Sequence, residues 1–339
     1  MITAYLERLS SQLLLPVDQI TAALCLLLAF PFAFLLNFAV FRRRPCHRLI
    51  NWLAIAPTYL FLYICFYVAR GGQEEEKLPN FIWDLLSIHL PVVFVYISTK
   101  YSKFLRNNPT VIFAILLAQL SYHHISRQLH FFNQYTVNVT GPLMILIIKL
   151  SSFAYDVQSD KIKLETVSFE GFMAWCLLFA GFFTGPVVNF TDFQNFCHEP
   201  NKFFALKKDD DHDDDNTANS HEKGVDDKML KGRKRRATFL ILSATLLLIF
   251  GLLLQPHFPT QQLLEVSESR FSIFYKIVFM HLSLLGWRIK YYVAWSLAEG
   301  ALVIIGLGFT LKDGKIKWYK QIYLLILLIL LIVGIDIKM

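Results

Sequence analysis

Lys149, Asp156, Asp192, His281, Arg288, Lys290 and Glu299 lie inside, or at the ends of, long apolar runs. A charge near the centre of a bilayer is costly, so such residues face a cavity or a partner. They fall into three groups. The first runs from Thr140-Gly141-Pro142-Leu143-Met144 to Lys149-Leu150-Ser151-Ser152-Phe153-Ala154-Tyr155-Asp156, a short apolar helix that holds a lysine and ends in an acid. A lysine snorkelling from a helix end has the same composition. The second is Phe183-Thr184-Gly185-Pro186 with Phe190-Thr191-Asp192-Phe193. Gly-Pro breaks a helix and frees backbone carbonyls, although ordinary spans also carry such kinks. The third is His281, then Trp287-Arg288-Ile289-Lys290-Tyr291-Tyr292, Trp295 and Glu299. At helical spacing Tyr291, Tyr292, Trp295 and Glu299 share a face, with Arg288 one turn earlier. Arg288 and Lys290 are suited to receive phosphate, and the aromatic rings to line an amphipathic wall. An interfacial aromatic belt with positive flanks is the competing reading.

The elements that carry these residues must be membrane helices. Of 339 residues, 55% are apolar and 17% charged, where a soluble domain has about 25% charged. Ten basic and nine acidic residues are concentrated between Asn201 and Arg236, which thins the charge elsewhere still further. A soluble fold of this size exposes too much surface to hide that apolar content. The net charge of +7 sits in short loops beside apolar runs. This fits membrane orientation rather than nucleic-acid binding, which calls for a basic stripe on a polar domain. Cys25, Cys46, Cys65, Cys176 and Cys197 are scattered, without a CxxC pair, and read as buried thiols acting as small apolar residues. No metal site is expected.

The apolar runs are Ile20–Phe41, Leu49–Ala69, Phe81–Ser98, Thr110–Leu120, Gly141–Tyr155, Phe172–Phe190, Ala237–Leu254, Phe271–Trp287, Tyr291–Phe309 and Ile322–Ile335. Several fall short of the ~20 residues of a straight crossing. The expected fold is therefore all-α and polytopic, with 8–10 membrane-embedded helices, some short or re-entrant. Four units follow: N-terminal membrane helices over 1–200, a charged cytosolic low-complexity loop over 201–236, further membrane helices over 237–318, and an atypical apolar C-terminus over 319–339. Arg42, Arg43, Arg44 and Arg48 place the first loop in the cytosol. Arg70 to Glu76 then lies on the opposite side, and Lys100, Lys103 and Arg106 return to the cytosol. Strict alternation would put Lys231–Arg236 on the wrong side for their charge, so one intervening run is expected not to cross. The acidic run Asp209–Asp215 around His212 lacks the glycine and distal Glu of a calcium loop and reads as solvated loop.

Taken in order, the three groups resemble the membrane-bound O-acyltransferase family, in its lysophospholipid acyltransferase branch. The matching residues are Gly141-Pro142 with Lys149-Leu150-Ser151-Ser152-Phe153-Ala154, then Gly185-Pro186 with Phe190, Asp192 and Phe193. They end with Arg288, Lys290-Tyr291-Tyr292, Ala294-Trp295 and Ala298-Glu299. Ser159-Asp160 departs from the family's usual Asp-Gly. The resemblance covers about residues 20–318. It implies a helical shell around a tunnel in the endoplasmic reticulum membrane, with acyl-CoA as co-substrate from the cytosol and a lysophospholipid from the bilayer. No separate cofactor is implied, and self-association is an open possibility. The acyl group would move from the thioester to a glycerol hydroxyl. Arg288, Lys290, Tyr291, Tyr292, Trp295 and Glu299 are the residues expected to line the tunnel.

The family's catalytic Asn or Asp and buried His lie after the Tyr-Tyr helix. Here no His follows His281 and no Asn follows Asn219. The catalytic residues are thus left unassigned, and the chain is expected to lack that C-terminal part. His281 is the best substitute base within the sequence. A shortened form that binds lipid or a full-length partner is the main alternative. An unrelated transporter would need two related halves, and none is visible.

Overall fold

The computed structural model describes Arg8, Ser11 and residues 17–40, 47–69, 74–130, 138–198, 227–268, 271–307, 309–312 and 315–318. The acidic run and the apolar stretch after 318 fall outside the described residues. Helix α1 (Val17–Val40) is followed by α2 (His47–Leu62), which continues as a π-helical turn over Tyr63–Val68. Then come α3 (Glu74–Tyr101), α4 (Lys103–Asn107), α5 (Pro109–His130) and α6 (Thr140–Gln158). Three short helices follow: α7 (Phe169–Cys176), α8 (Phe179–Phe182) and α9 (Phe190–His198). The chain closes with α10 (Asp227–Leu254), α11 (Leu263–Glu268) and α12 (Ile273–Ile305).

Local chemistry sets several of these ends. Ser102, Ser168 and Ser272 are N-caps whose hydroxyls accept from Leu105, Gly171 and Tyr275 N–H groups. Gly306 ends α12 at φ 107, and the Gly306 and Leu307 N–H groups both bond the Leu302 carbonyl. Among the described residues, five helices are long and apolar enough to cross a membrane: Gln19–Val40, Arg48–Val68, Glu76–Tyr101, Thr140–Gln158 and Gly232–Leu254. The fold is all-α and polytopic. It adds one feature the sequence reading missed, an antiparallel hairpin of β1 (Phe309–Lys312) and β2 (Lys315–Trp318) with Phe309 opposite Trp318. Asp313-Gly314 between the strands is a favoured hairpin pair.

The short runs resolve differently from one another. Thr110–Leu120 grows into the 22-residue α5, about 33 Å long at ~1.5 Å per residue. Phe271–Trp287 and Tyr291–Phe309 merge into the single 33-residue α12, because Arg288 and Lys290 are good helix formers and do not interrupt it. Phe172–Phe190 is the run that fails to cross. Its chain enters through α7, turns at α8 and returns through α9, and Gln194 Nε2 donates to the Thr166 carbonyl at 3.1 Å across the base. At the tip, Thr58 Oγ1 donates to the Leu177 carbonyl at 2.5 Å. Thr58 lies half-way along the 21-residue span Arg48–Val68, so the tip reaches mid-depth.

That re-entrant course accounts for the charge pattern. With residues 169–198 entering and leaving on one side, the start of α10 falls on the same side as the end of α1. Arg233 Nη2 donates to Asn37 Oδ1 at 3.2 Å, which joins the start of α10 to the end of α1 and places these two helix ends on one face. The basic residues there are not all surface charges: Arg233 is buried, while Lys234 and Arg235 are exposed.

The re-entrant turn is tight at Gly181. A Cβ there would stand 2.5 Å from the Pro186 carbonyl oxygen, a backbone atom that cannot swing away. A Cβ at Gly141 would meet nothing within 4 Å. Gly181→Ala is therefore expected to cost about 1–3 kcal/mol, whereas Gly141→Ala is expected to be neutral or slightly stabilising. Thermal unfolding in detergent separates them, and equal midpoints would contradict the packing at the turn.

Candidate functional site

The first buried site is the floor under the re-entrant turn. Irregular backbone at membrane depth persists only where protein satisfies its polar groups. Helix α7 ends there, leaving carbonyls without intrahelical partners. Lys149, at the middle of the 19-residue α6, supplies the donor. It is 1% exposed, and its Nζ donates to the Trp175 and Cys176 carbonyls at 3.2 and 3.3 Å. A cation at a helix C-terminus is also favoured by the helix dipole, and the Trp175 ring lies 5.9 Å from the ammonium. Lys149 does not snorkel. Trp175 Nε1 in turn donates to the Val188 carbonyl at 2.8 Å, fixing the return strand of the turn. Phe153, Phe172 and Phe190 pack around Trp175, with Trp175 and Phe190 centroids 5.4 Å apart. Below this core, Asn51, Ser168, Gly171, Gln194 and Cys197 line a small cleft.

The second site is α12. Arg288, Tyr291 and Trp295 are exposed along one face, Tyr291 by 46% and Trp295 by 44%. Tyr292 joins them, its ring 5.6 Å from that of Trp295. One turn further the same face is closed: Glu299 is 2% exposed, and its Oε1 accepts from Arg236 Nη2 at 3.1 Å. Glu299 is thus held by α10 rather than open beside Arg288. Lys290 lies on another side of the helix, with its ammonium 3.7 Å from the Trp287 ring centroid and 5.3 Å from that of Tyr291. The structure accordingly brings Arg288, Tyr291, Tyr292 and Trp295 together, with Glu299 as their buried end, and sets Lys290 apart.

Glu299 belongs to a polar knot where α1, α10 and α12 meet. Asn37 Nδ2 donates to the Ile305 carbonyl at 2.7 Å, and Asn37 Oδ1 accepts from Arg233. The knot thus satisfies the C-terminal turn of α12 and sets its position on α1. Gly300 permits the approach, since a Cβ there would lie 3.2 Å from Phe30 Cζ.

His281 does not assemble a base. It is exposed, and its Nδ1 bonds the Ile277 carbonyl one turn back at 2.8 Å. His89, which the sequence reading did not weigh, is better placed in depth. Its Nδ1 donates to the Leu85 carbonyl at 2.6 Å, which leaves Nε2 to accept from Tyr59 O–H at 2.5 Å. Its signal was available: an ionisable residue inside the run Phe81–Ser98. Asn37 and Arg233 carried no such signal, because their pairing joins helices 196 residues apart in sequence. Among the described residues, no three His, Cys, Asp or Glu side chains gather as a metal site.

The model of the MBOAT, membrane-bound O-acyltransferase, family matches residues 82–323, which contain both the re-entrant segment and α12. The chain belongs to the membrane-bound O-acyltransferase family. Among curated proteins, this O-acyltransferase family member is similar to "Lysophospholipid acyltransferase" of Saccharomyces cerevisiae, 25% identical over 89% of this chain and 49% of that protein. It is also similar to "Lysophospholipid acyltransferase 6" of Drosophila melanogaster, 23% identical over 90% of this chain and 41% of the relative. "Membrane-bound glycerophospholipid O-acyltransferase 2" of Rattus norvegicus is 24% identical over 92% and 59%. The chain spans about half the length of the curated relatives it matches.

Proposed function

We propose that this chain serves the transfer of a fatty acyl group from acyl-CoA to the free hydroxyl of a lysophospholipid, in phospholipid remodelling at the endoplasmic reticulum membrane. The observation that carries the reading is the likeness to lysophospholipid acyltransferases along some nine-tenths of the chain. The exposed face of Arg288, Tyr291, Tyr292 and Trp295 supports it chemically. Arg288 offers a planar fork of donors for a phosphate. The aromatic rings offer an apolar wall with polar tips, suited to a lipid that has one wet end. In the reaction the acceptor hydroxyl oxygen attacks the thioester carbonyl, its proton passes to a base, and the CoA thiolate leaves. Glu299 and Arg236 act as positioning residues in this scheme, since they fix the register of α12 against α10.

The second reading is a lipid- or partner-binding chain without turnover. It draws on the bonding of His281 and His89, each committed to a carbonyl of its own helix. The 339-residue chain in membranes lacking endogenous acyltransferases, given labelled acyl-CoA and a panel of lysophospholipids, separates the two. Labelled diacyl product, reduced about tenfold or more by Arg288→Ala, supports the transfer reading and puts a base within these residues. Absence of product, with the chain confirmed in the membrane, contradicts the transfer reading and leaves the binding one.

A further inference from the structure

We propose that Cys25 and Cys65 form an oxidation site, a latent disulfide that fastens α1 to the π-helical turn at the end of α2. In sequence the two are 40 residues apart and carry no motif, but the fold sets their Sγ atoms 3.6 Å from each other, with one thiol as donor to the other sulfur. Both are 3% exposed.

Two features of the fold create the contact. Thr21, Cys25, Ala29 and Ala33 recur every four residues along α1 and are all buried, and a stripe of small side chains lets another backbone approach closely. The approaching segment is Tyr63–Val68, where the helix widens to π geometry and buries Cys65 and Phe66. The closing bond of that turn runs from Ala69 N–H to the Ile64 carbonyl, five residues back. One extra residue in the turn re-aims its side chains relative to a regular helix. A disulfide needs its sulfurs at about 2.05 Å, so the pair must close by roughly 1.5 Å.

Burial selects the oxidant. A bulky disulfide donor cannot reach sulfurs that are 3% exposed, whereas hydrogen peroxide is small and uncharged. One sulfur attacks peroxide as its proton passes to the departing hydroxide, giving a sulfenic acid and water. The second thiol attacks that sulfur, forming the S–S bond and releasing a second water. Overall, two thiols and one hydrogen peroxide become one disulfide and two waters. Location favours persistence of the product. Cys25 lies in the first half of α1 and Cys65 near the far end of α2, both remote from the basic loops that mark the cytosolic face. Cytosolic reductants therefore act from the opposite side.

The test uses the full chain in native membranes. After peroxide treatment the protein is unfolded in SDS, remaining thiols are blocked with N-ethylmaleimide, and the unreduced digest is analysed by mass spectrometry. The expected result is a Cys25–Cys65 linked peptide pair that disappears on reduction, while Cys176 and Cys197 are recovered alkylated. Recovery of Cys25 and Cys65 as separate alkylated or separately oxidised peptides would overturn the proposal. Cys65→Ser keeps a small side chain at the site. It is expected to leave Cys25 alkylatable after peroxide, and a new linkage of Cys25 to another cysteine would also overturn the specific pairing.

Discussion

Replacing Arg236 with methionine is expected to destabilise the folded chain by about 3–5 kcal/mol, the cost of breaking a buried ion pair from one side. Glu299 is 2% exposed and its Oε1 accepts from Arg236 Nη2, while its Oε2 has no hydrogen-bond partner among the described residues. Without the guanidinium, the carboxylate must stay buried and uncompensated or take up a proton. The double variant Arg236→Met/Glu299→Met removes both charges and is expected to recover most of the loss, because apolar replacements of a buried pair are often neutral. A double-mutant cycle by thermal unfolding in detergent measures the coupling. Additive losses would show that the pair does not join α10 to α12.

Lys149→Met is the second large effect. It preserves the unbranched stem and removes the donor that satisfies the Trp175 and Cys176 carbonyls. Hydrogen bonds to charged groups are worth about 1.5–3 kcal/mol each. The loss is offset in part because a cation no longer has to be buried, so a net cost of about 2–3 kcal/mol is expected. Thr58→Val, which removes only the donor to the Leu177 carbonyl, is expected to cost about 1 kcal/mol. Both should raise protease sensitivity in the re-entrant segment more than elsewhere. Unchanged cleavage there with Lys149→Met would mean the lysine does not hold the turn.

Much of the architecture was legible because hydrophobicity and charge report directly on the membrane. The apolar runs located α1, α2, α3, α6 and α10, and the mismatch between strict alternation and Lys231–Arg236 foretold a run that does not cross. Which run that is depended on tertiary bonds. Gly185-Pro186 marked a break in Phe172–Phe190, but the turn back needed Lys149, Thr58 and Gln194 as partners. Helical spacing placed Arg288, Tyr291, Tyr292, Trp295 and Glu299 on one face of α12, and they share it. It did not show that Arg236 closes that face at Glu299, because the pair lies 63 residues apart. For the same reason the scattered cysteines gave no hint that Cys25 meets Cys65.

The measurement that bears most directly on the account is photolabelling of the membrane-embedded chain with a lysophospholipid carrying a photoreactive acyl chain, followed by peptide mapping. The α12 face predicts that adducts concentrate between Trp287 and Glu299. It also predicts that unlabelled lysophospholipid competes for them and that Trp295→Ala reduces them about tenfold, in line with an anchoring aromatic worth ~1.4 kcal/mol or more. Adducts spread evenly over lipid-exposed helices, without competition and without response to Trp295→Ala, would contradict the assignment of this face to the substrate.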